Sequence, residues 1–388
     1  MRIDRLFDRL VRPEVRLGRR VWPAYRVAVY TGVLLGVLTA GALAVRLGLS
    51  PWVTAATALC GVLLAVGLGL ATKIVTGHER YTVYHYQLLV LAGAAGFLAL
   101  LGRPVLPYLD LLAVALAITQ GCGRAGCLMA GCCHGRPHAW GVRYGSRHAD
   151  AGFPRWLVGV RLLPVQGLES LALVAISAVG IALALAGTPG EALTWYLVAY
   201  ALCRCGLERL RGDARRPELL GLSEAQWIAL LSLAAVAAAE AAGLLPLHPW
   251  HLAAFAVGAM VAVAGRSRGD LLARPRHLEE LGEALERVRE SAAARTLLPR
   301  LAPVVQKSAE VRVETTSLGL RISAGTLERA EGAVEHYALS RQGEPLDEEA
   351  VRAVAGWILK LRHPDSAGEI VPGPGGVFHL LVRSGGAA

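Results

Sequence analysis

The sequence is short of what a water-soluble protein needs. Charged residues make up 18% of its 388 residues and aromatic residues 6%, while 54% are hydrophobic and the mean hydropathy is +0.45. So little charge excludes an ordinary soluble enzyme. The apolar residues come in blocks of roughly 16 to 22, long enough to cross a bilayer as helices. Acidic residues are scarce relative to basic ones: 30 Asp+Glu against 40 Lys+Arg leave a formal charge of +10. The basic residues cluster between the apolar blocks, which in a membrane protein favours anionic lipid head groups and topology over nucleic acid. Cysteine is sparse, and its seven copies lie in or beside the apolar blocks, unlike a secreted disulfide framework. A cleavable signal peptide is not expected either, because Arg2, Arg5, Arg9, Arg12 and Arg16 interleave with Ile3, Leu6, Leu10 and Leu17 from the start.

That interleaving has a helical period and predicts an amphipathic basic helix over 1–22, lying on an anionic bilayer surface. Apolar spans are expected at 27–47, 52–72, 86–102, 108–130, 166–187, 193–211, 224–244 and 249–265, the last of them short. Connections are short except for the polar and aromatic loop at 134–163. Near residue 266 the composition changes. A charged helix at 276–296 is followed by alternating patterns at 309–323, helical patterns at 326–336 and 346–362, and a hairpin around Pro372-Gly373-Pro374-Gly375-Gly376. The expected fold is an all-α polytopic membrane protein of about seven or eight transmembrane helices with a small C-terminal α+β soluble domain. Its parts are 1–22, a membrane domain over 23–265, and a linker helix with soluble domain over 266–388. The soluble part carries no recognisable catalytic motif.

Chemistry concentrates in two stretches. Gly121-Cys122-Gly123-Arg124-Ala125-Gly126-Cys127 closes an apolar run and continues through Cys132-Cys133-His134. An arginine at membrane depth is costly and therefore a functional candidate, its planar fork suits a phosphate, and Gly123 and Gly126 permit close approach of a lipid head group or a helix. In the second stretch Tyr200, Arg204, Glu208 and Arg211 fall at i, i+4, i+8 and i+11, one polar stripe that must face the protein interior or a water-filled cavity. Gln166, Glu169, Asp110 and His85 lie at or near span ends, where helix caps are the commoner use. Cys127, Cys132, Cys133 and His134 are conceivable metal ligands. Their spacing matches no common zinc pattern, so packing of small cysteines is the favoured account and no metal or other cofactor is expected.

These stretches resemble the prolipoprotein diacylglyceryl transferase family. Gly123-Arg124-x-Gly126 with Gly131 and Gly135 is similar to that family's signature. Tyr200 with Arg204, Glu and Arg following, is similar to its late motif, and Pro164-x-Gln166-x-x-Glu169 and Gly221-Leu222-Ser223-x-x-Gln226 to two further elements, in the right order across about 25–240. The resemblance implies that Arg124 and Arg204 are essential arginines, with Tyr200 a partner of the second and Tyr25 at the start of the first span. It makes His85 a candidate base, although Tyr86 and Gln87 replace two glycines. Catalytic roles then fall to Arg124, Arg204, His85 and Tyr200, and substrate binding to Gly123, Gly126, Tyr25, Gln166, Glu169 and Glu208. Cys127, Ala130 and Cys132 stand where the family commonly has Asn, Asn and Glu. The implied activity is that of a transferase in a bacterial cytoplasmic (inner) membrane. It would move the diacylglyceryl group from phosphatidylglycerol to the lipobox cysteine thiol of a prolipoprotein signal peptide, releasing glycerol phosphate.

Charge distribution raises an alternative. With eight spans, nearly all loop arginines share one side with the N-terminus, and the positive-inside rule makes that side cytoplasmic. The family's signature faces the exterior. A family-derived protein that binds or transfers from anionic phospholipid to a different acceptor, on the cytoplasmic face, is the second expectation.

Overall fold

The computed structural model describes residues 8, 11–77, 83–213, 218–248, 250–264, 272, 274–301, 311–329, 332–364 and 366–383. The chain begins with a hairpin of β1 (Glu14–Leu17) and β2 (Arg20–Pro23). The helix expected over 1–22 is therefore replaced by strands in its second half. Most of its first half lies outside the described residues. Gly18, at φ 61°, supplies the left-handed turn that joins Leu17 to its partner Arg20, and proline at 13 and 23 disfavours a helix there.

Among the described residues eight helices follow up to Val263, a short one in the loop region aside: α1 (Ala24–Arg46), α2 (Pro51–Thr76), α3 (Val83–Leu100), α4 (Val105–Ala130) and, after the loop region, α6 (Val165–Ala186), α7 (Glu191–Leu207), α8 (Glu224–Ala241) and α9 (Trp250–Val263). Five of them, α1, α2, α4, α6 and α8, are long and apolar enough to cross a membrane, and α3 and α9 are shorter apolar helices. The outward faces of α1 and α2 leave Leu34, Leu38, Leu63, Leu70 and Ile74 exposed, as lipid-facing surfaces require. The chain is a multi-pass membrane protein. The span expected to run to 211 ends at Leu207 and tightens into a 3-10 turn over Glu208–Leu210, so Arg211 sits on extended backbone and not on the helical stripe.

Helix α1 packs directly on α4 through a Gly-x-x-x-Gly pair. A Cβ at Gly32 would lie 2.7 Å from the Cys122 Cβ, and one at Gly36 2.7 Å from the Ala115 carbonyl oxygen. Only glycine allows backbones so close, and with no hydrophobic drive between helices in lipid, such packing is what holds them together. Asp110 caps a different helix from its own: its carboxylate accepts from the N–H groups of Gly190 at 2.7 Å and Leu193 at 2.8 Å, at the start of α7.

The 134–163 region is a small head made of β3 (Pro137–Arg143), α5 (Ser146–Asp150), a 3-10 turn at Arg155–Leu157, and β4 (Arg161–Leu162). Beyond the membrane helices come α10 (Pro275–Leu301) and the antiparallel strands β7 (Glu314–Thr315), β8 (Leu320–Arg329) and β9 (Gly332–Arg341). They are followed by α11 (Glu348–Arg362), β10 (Gly368–Pro372) and β11 (Phe378–Arg383). A short pair, β5 (Glu218–Leu219) and β6 (Leu222–Ser223), precedes α8. The five-stranded sheet runs β10-β11-β9-β8-β7. The helical pattern expected at 326–336 is instead the β8–β9 hairpin. Leu320, Ile322 and Ala324 alternate inward opposite Arg341, Leu339 and Tyr337, and that pairing overrides the helix propensity of Leu, Glu and Ala. Helix α11 presents Val351, Val354, Ala355, Ile358 and Leu361 at i, i+3, i+4, i+7 and i+10 to the same core. That core does not stop at the sheet. Val142, Tyr144, Phe153, Trp156 and Leu157 of the head join Leu278, Leu281 and Leu285 of α10 in one continuous cluster, and a Cβ at Gly282 would overlap the Trp156 ring. Head and C-terminal domain thus lie on the same side of the helix bundle.

Candidate functional site

Helices α4 and α7 run toward the head and α6 runs away from it, so the end of α4, the start of α6 and the end of α7 meet beneath the head. Arg124 lies near the end of α4, Glu169 in the second turn of α6, and Tyr200 and Arg204 near the end of α7. All four are buried, with Tyr200 at 0% and Glu169 at 1% exposure. Buried charges persist only when paired, and here they are.

Glu169 is the hub. Its Oε1 accepts from the Arg124 Nε at 3.0 Å and from the Tyr200 hydroxyl at 2.9 Å, and its Oε2 accepts from the Arg204 Nη1 at 3.3 Å. Arg204 also reaches Glu208 Oε2 through Nη2 at 2.7 Å, and Arg211 lies 3.7 Å from the same oxygen. Arg211 in turn donates bidentately to Asp213, at 2.8 and 2.6 Å. The chain of charges thus runs from the membrane interior to the head: Arg124, Glu169, Arg204, Glu208, Arg211, Asp213. Three guanidinium groups alternate with three carboxylates, so the chain is charge-balanced as a whole, with Arg124 at its deep end and two guanidinium groups on Glu169. The Arg204 Nε, the Gln166 Oε1 and the Tyr84 hydroxyl find no hydrogen-bond partner among the described residues, leaving polar capacity for a ligand.

The two sequence motifs are also stitched together by backbone. Gly135 bridges Arg211, the Gly212 N–H donates to the His134 carbonyl at 2.9 Å, and the Arg136 N–H to the Leu210 carbonyl at 3.1 Å. Gln166 donates to the Cys132 carbonyl at 2.8 Å, tying α6 to the end of the signature. At the head end of the charge chain lies a cavity of about 720 Å³. Cys132, Cys133, His134, Asp213 and Arg155 line it, together with Glu279, Glu283, Glu286, Arg287 and Glu290 of α10. The His134 Nδ1 faces the Gly135 carbonyl at 3.0 Å, which makes that nitrogen the donor, and burial pushes the imidazole below its usual range.

Of the residues named from the sequence, Arg124, Glu169, Tyr200, Arg204 and Glu208 come together in one network, with Gln166 beside it. Tyr25 lies within electrostatic reach of Arg124, Cys127 and Cys132. Gly126 faces α1, where a Cβ would lie 2.8 Å from the Ala28 Cβ and 3.1 Å from the Tyr25 Cα, and Gly123 faces Val29. His85 stands apart: its Nε2 pairs with Glu224 Oε1 at 3.1 Å, and its side chain is 52% exposed. Sequence reasoning passed over Tyr84, which is buried with its ring 5.6 Å from that of Tyr200, and Asp213, the partner of Arg211. An aromatic beside a span edge carries no signal that separates it from packing.

Residues 85–241 match the family model described as prolipoprotein diacylglyceryl transferase. The chain is similar to phosphatidylglycerol–prolipoprotein diacylglyceryl transferase 2 of Clostridium perfringens (strain 13 / Type A), 35% identical over 135 residues, which cover 33% of this chain and 49% of that protein. It is 32% identical over 131 residues to phosphatidylglycerol–prolipoprotein diacylglyceryl transferase of Clostridium tetani (strain Massachusetts / E88), covering 33% and 50%. The chain spans about half the length of the curated relatives it matches. The signature arginine and the late-motif arginine, which meet on one buried carboxylate, both lie inside the region that is similar to the prolipoprotein diacylglyceryl transferase family.

Proposed function

We propose that the protein transfers the diacylglyceryl group of phosphatidylglycerol to the lipobox cysteine thiol of a prolipoprotein, releasing glycerol phosphate, in a bacterial inner membrane crossed by seven or eight helices. The observation that carries this reading is the convergence of Arg124 and Arg204 on Glu169 at the buried end of the charge chain. Guanidinium forks grip phosphate bidentately, and water exclusion strengthens them. As the glyceryl carbon–oxygen bond breaks, the leaving phosphate gains charge, which two fixed cations stabilise without reorganising. Glu169 is the positioning residue that holds both forks until the anion arrives, and Tyr200 fixes Glu169. Glu208 and Arg211 extend the path toward the head, where a peptide thiol would enter. The carboxylates of Glu169 and Glu208 each face two or more donors, so neither is a spare base for the thiol, and His85 would act only from the surface next to Glu224.

The test is prolipoprotein lipidation in cells depleted of their own transferase, comparing the intact chain with Arg124→Ala and Arg204→Ala. The intact chain is expected to restore lipidation, and each variant to lose it at least about 100-fold, the loss typical for removing one transition-state charge stabiliser. A well-expressed intact chain that leaves the precursor unmodified would overturn the proposal.

A further inference from the structure

Three thiols gather where α4 ends. The Sγ atoms of Cys127, Cys132 and Cys133 all lie within 4.8 Å of one another, and all three cysteines are free. The spacing Cys-x-x-x-x-Cys-Cys does not predict this; the backbone creates it. Gly131 closes the helix at φ 82°, and Cys133 then takes a second left-handed step at φ 55°. Among the described residues only Cys133 and Leu220 adopt positive φ without being glycine, a conformation that costs an L-residue about 1–2 kcal/mol. The turn is clamped from two sides, by Gln166 on the Cys132 carbonyl and by the Gly212 N–H on the His134 carbonyl. Strain retained in a clamped turn that converges three soft donors points to a ligand for them.

The dimensions fit a cation. Zinc–sulfur bonds of about 2.3 Å at tetrahedral angles place sulfurs about 3.8 Å apart, which falls inside the 4.8 Å limit that holds the three sulfurs here. Three thiolates need compensating charge, and Arg124 and Arg211 both lie within electrostatic reach of Cys133. Cys127 is buried while Cys132 is exposed, so the set has a closed side and an open one, and Cys132 and Cys133 line the 720 Å³ cavity. Helix α10 adds Glu279, Glu283, Glu286 and Glu290 to the lining of the same cavity, together with Arg287, and Arg155 lines it as well, so acidic groups outnumber basic ones there.

We propose that Cys127, Cys132 and Cys133 bind one thiophilic divalent cation of the zinc class, with its fourth position open to the cavity for an incoming thiol. The role of the thiol rests on the transferase reading; the metal site does not. On binding, the acceptor thiol releases its proton to water and becomes a metal-held thiolate. Its sulfur forms the carbon–sulfur bond to the glyceryl carbon while the carbon–oxygen bond to phosphate breaks, and the electron pair leaves with glycerol phosphate. The cation keeps its charge and its three protein ligands, and nothing is oxidised or reduced. This supplies the nucleophile activation that the charge network lacks.

The test uses the reduced full chain in detergent, titrated with Cd²⁺ and followed by sulfur-to-metal charge-transfer absorption. Saturation at one equivalent is expected, with Cys132→Ser weakening binding more than about 100-fold, beyond what loss of a group hydrogen-bonded to a ligand does, and Cys60→Ser leaving it unchanged. Cys132 is exposed, so its variant should fold, which gel filtration checks. Absence of the absorption band in excess Cd²⁺, or equal binding by Cys132→Ser, overturns the site. In the Co²⁺-loaded protein a small alkylthiol should shift the ligand-field spectrum, and no shift overturns the open position. Arg204→Ala should keep the cadmium band while losing lipidation. An intact chain that binds cadmium but does not lipidate sinks the transferase reading alone, and one that lipidates without binding metal sinks the site alone.

Discussion

Glu169 serves two arginines and a tyrosine at once, which makes it the residue whose loss the network tolerates least. Glu169→Gln leaves the buried Arg124 guanidinium without its counter-charge and Arg204 with Glu208 alone, and is expected to cost about 3–5 kcal/mol. Tyr200→Phe removes one hydrogen bond to a carboxylate, worth about 1.5–3 kcal/mol. Thermal unfolding in detergent should therefore rank Glu169→Gln as the more destabilised, and the reverse order would show that Glu169 is not the hub. In the C-terminal domain the Glu335 carboxyl is held at about 2, chiefly by a hydrogen bond from His363, against the opposing effect of burial and with Arg289 3.5 Å away. A carboxyl depressed in the folded state adds stability that is complete above its unfolded value of about 4.3 and is lost as pH falls from about 4.5 toward about 2. Acid titration of the near-ultraviolet circular dichroism should show that loss, and Glu335→Gln should remove its share of it. That Arg124 and Arg204 need buried partners was legible from chemistry, because an unpaired arginine at membrane depth is too costly. Tyr84 was not, because a buried tyrosine and a packing aromatic look the same in one dimension.

Helix α1 meets α4 on glycine. Gly32→Leu or Gly36→Leu forces the two helices apart, at a cost of at least about 1–3 kcal/mol for overpacking, and should lower yield and melting temperature together. Gly41→Leu, on the same helix with open space around it, should do neither. Equal sensitivity at all three positions would mean that the helix, not the interface, is what glycine serves. The membrane helices were readable because hydropathy over a span-length window is a strong signal. The N-terminal hairpin and the β8–β9 hairpin were not, since short segments with helix-forming residues become strands only when a turn and a partner strand are present. The end of α4 shows the same limit more sharply. A four-residue gap followed by adjacent cysteines brings three thiols together only because the chain turns left-handed twice, at Gly131 and Cys133.

Head and C-terminal domain act as one body through Trp156, Leu157, Leu281 and Leu285. Trp156→Ala opens that seam at a cost of about 3–5 kcal/mol, and limited proteolysis should then release the C-terminal domain faster than from the intact chain. Because both bodies share a side, cysteines placed at Ser146 and Glu348 should be labelled by an impermeant thiol reagent from one face of the membrane and a cysteine at Arg103 from the other, over the background of native cysteines. Labelling of 146 and 348 from opposite faces would contradict the shared core, and the face that labels 146 decides between an exterior and a cytoplasmic site. By itself the sequence determined the membrane class, the approximate positions of the apolar helices and two arginines as site candidates, because hydropathy, charge cost and motif chemistry are local properties. Only the tertiary structure decided that Arg124 and Arg204 meet on Glu169, that three cysteines converge beside them, and that the C-terminal domain closes over the head, because contacts between residues far apart in the chain depend on helix directions, crossing distances and turns that no local pattern encodes.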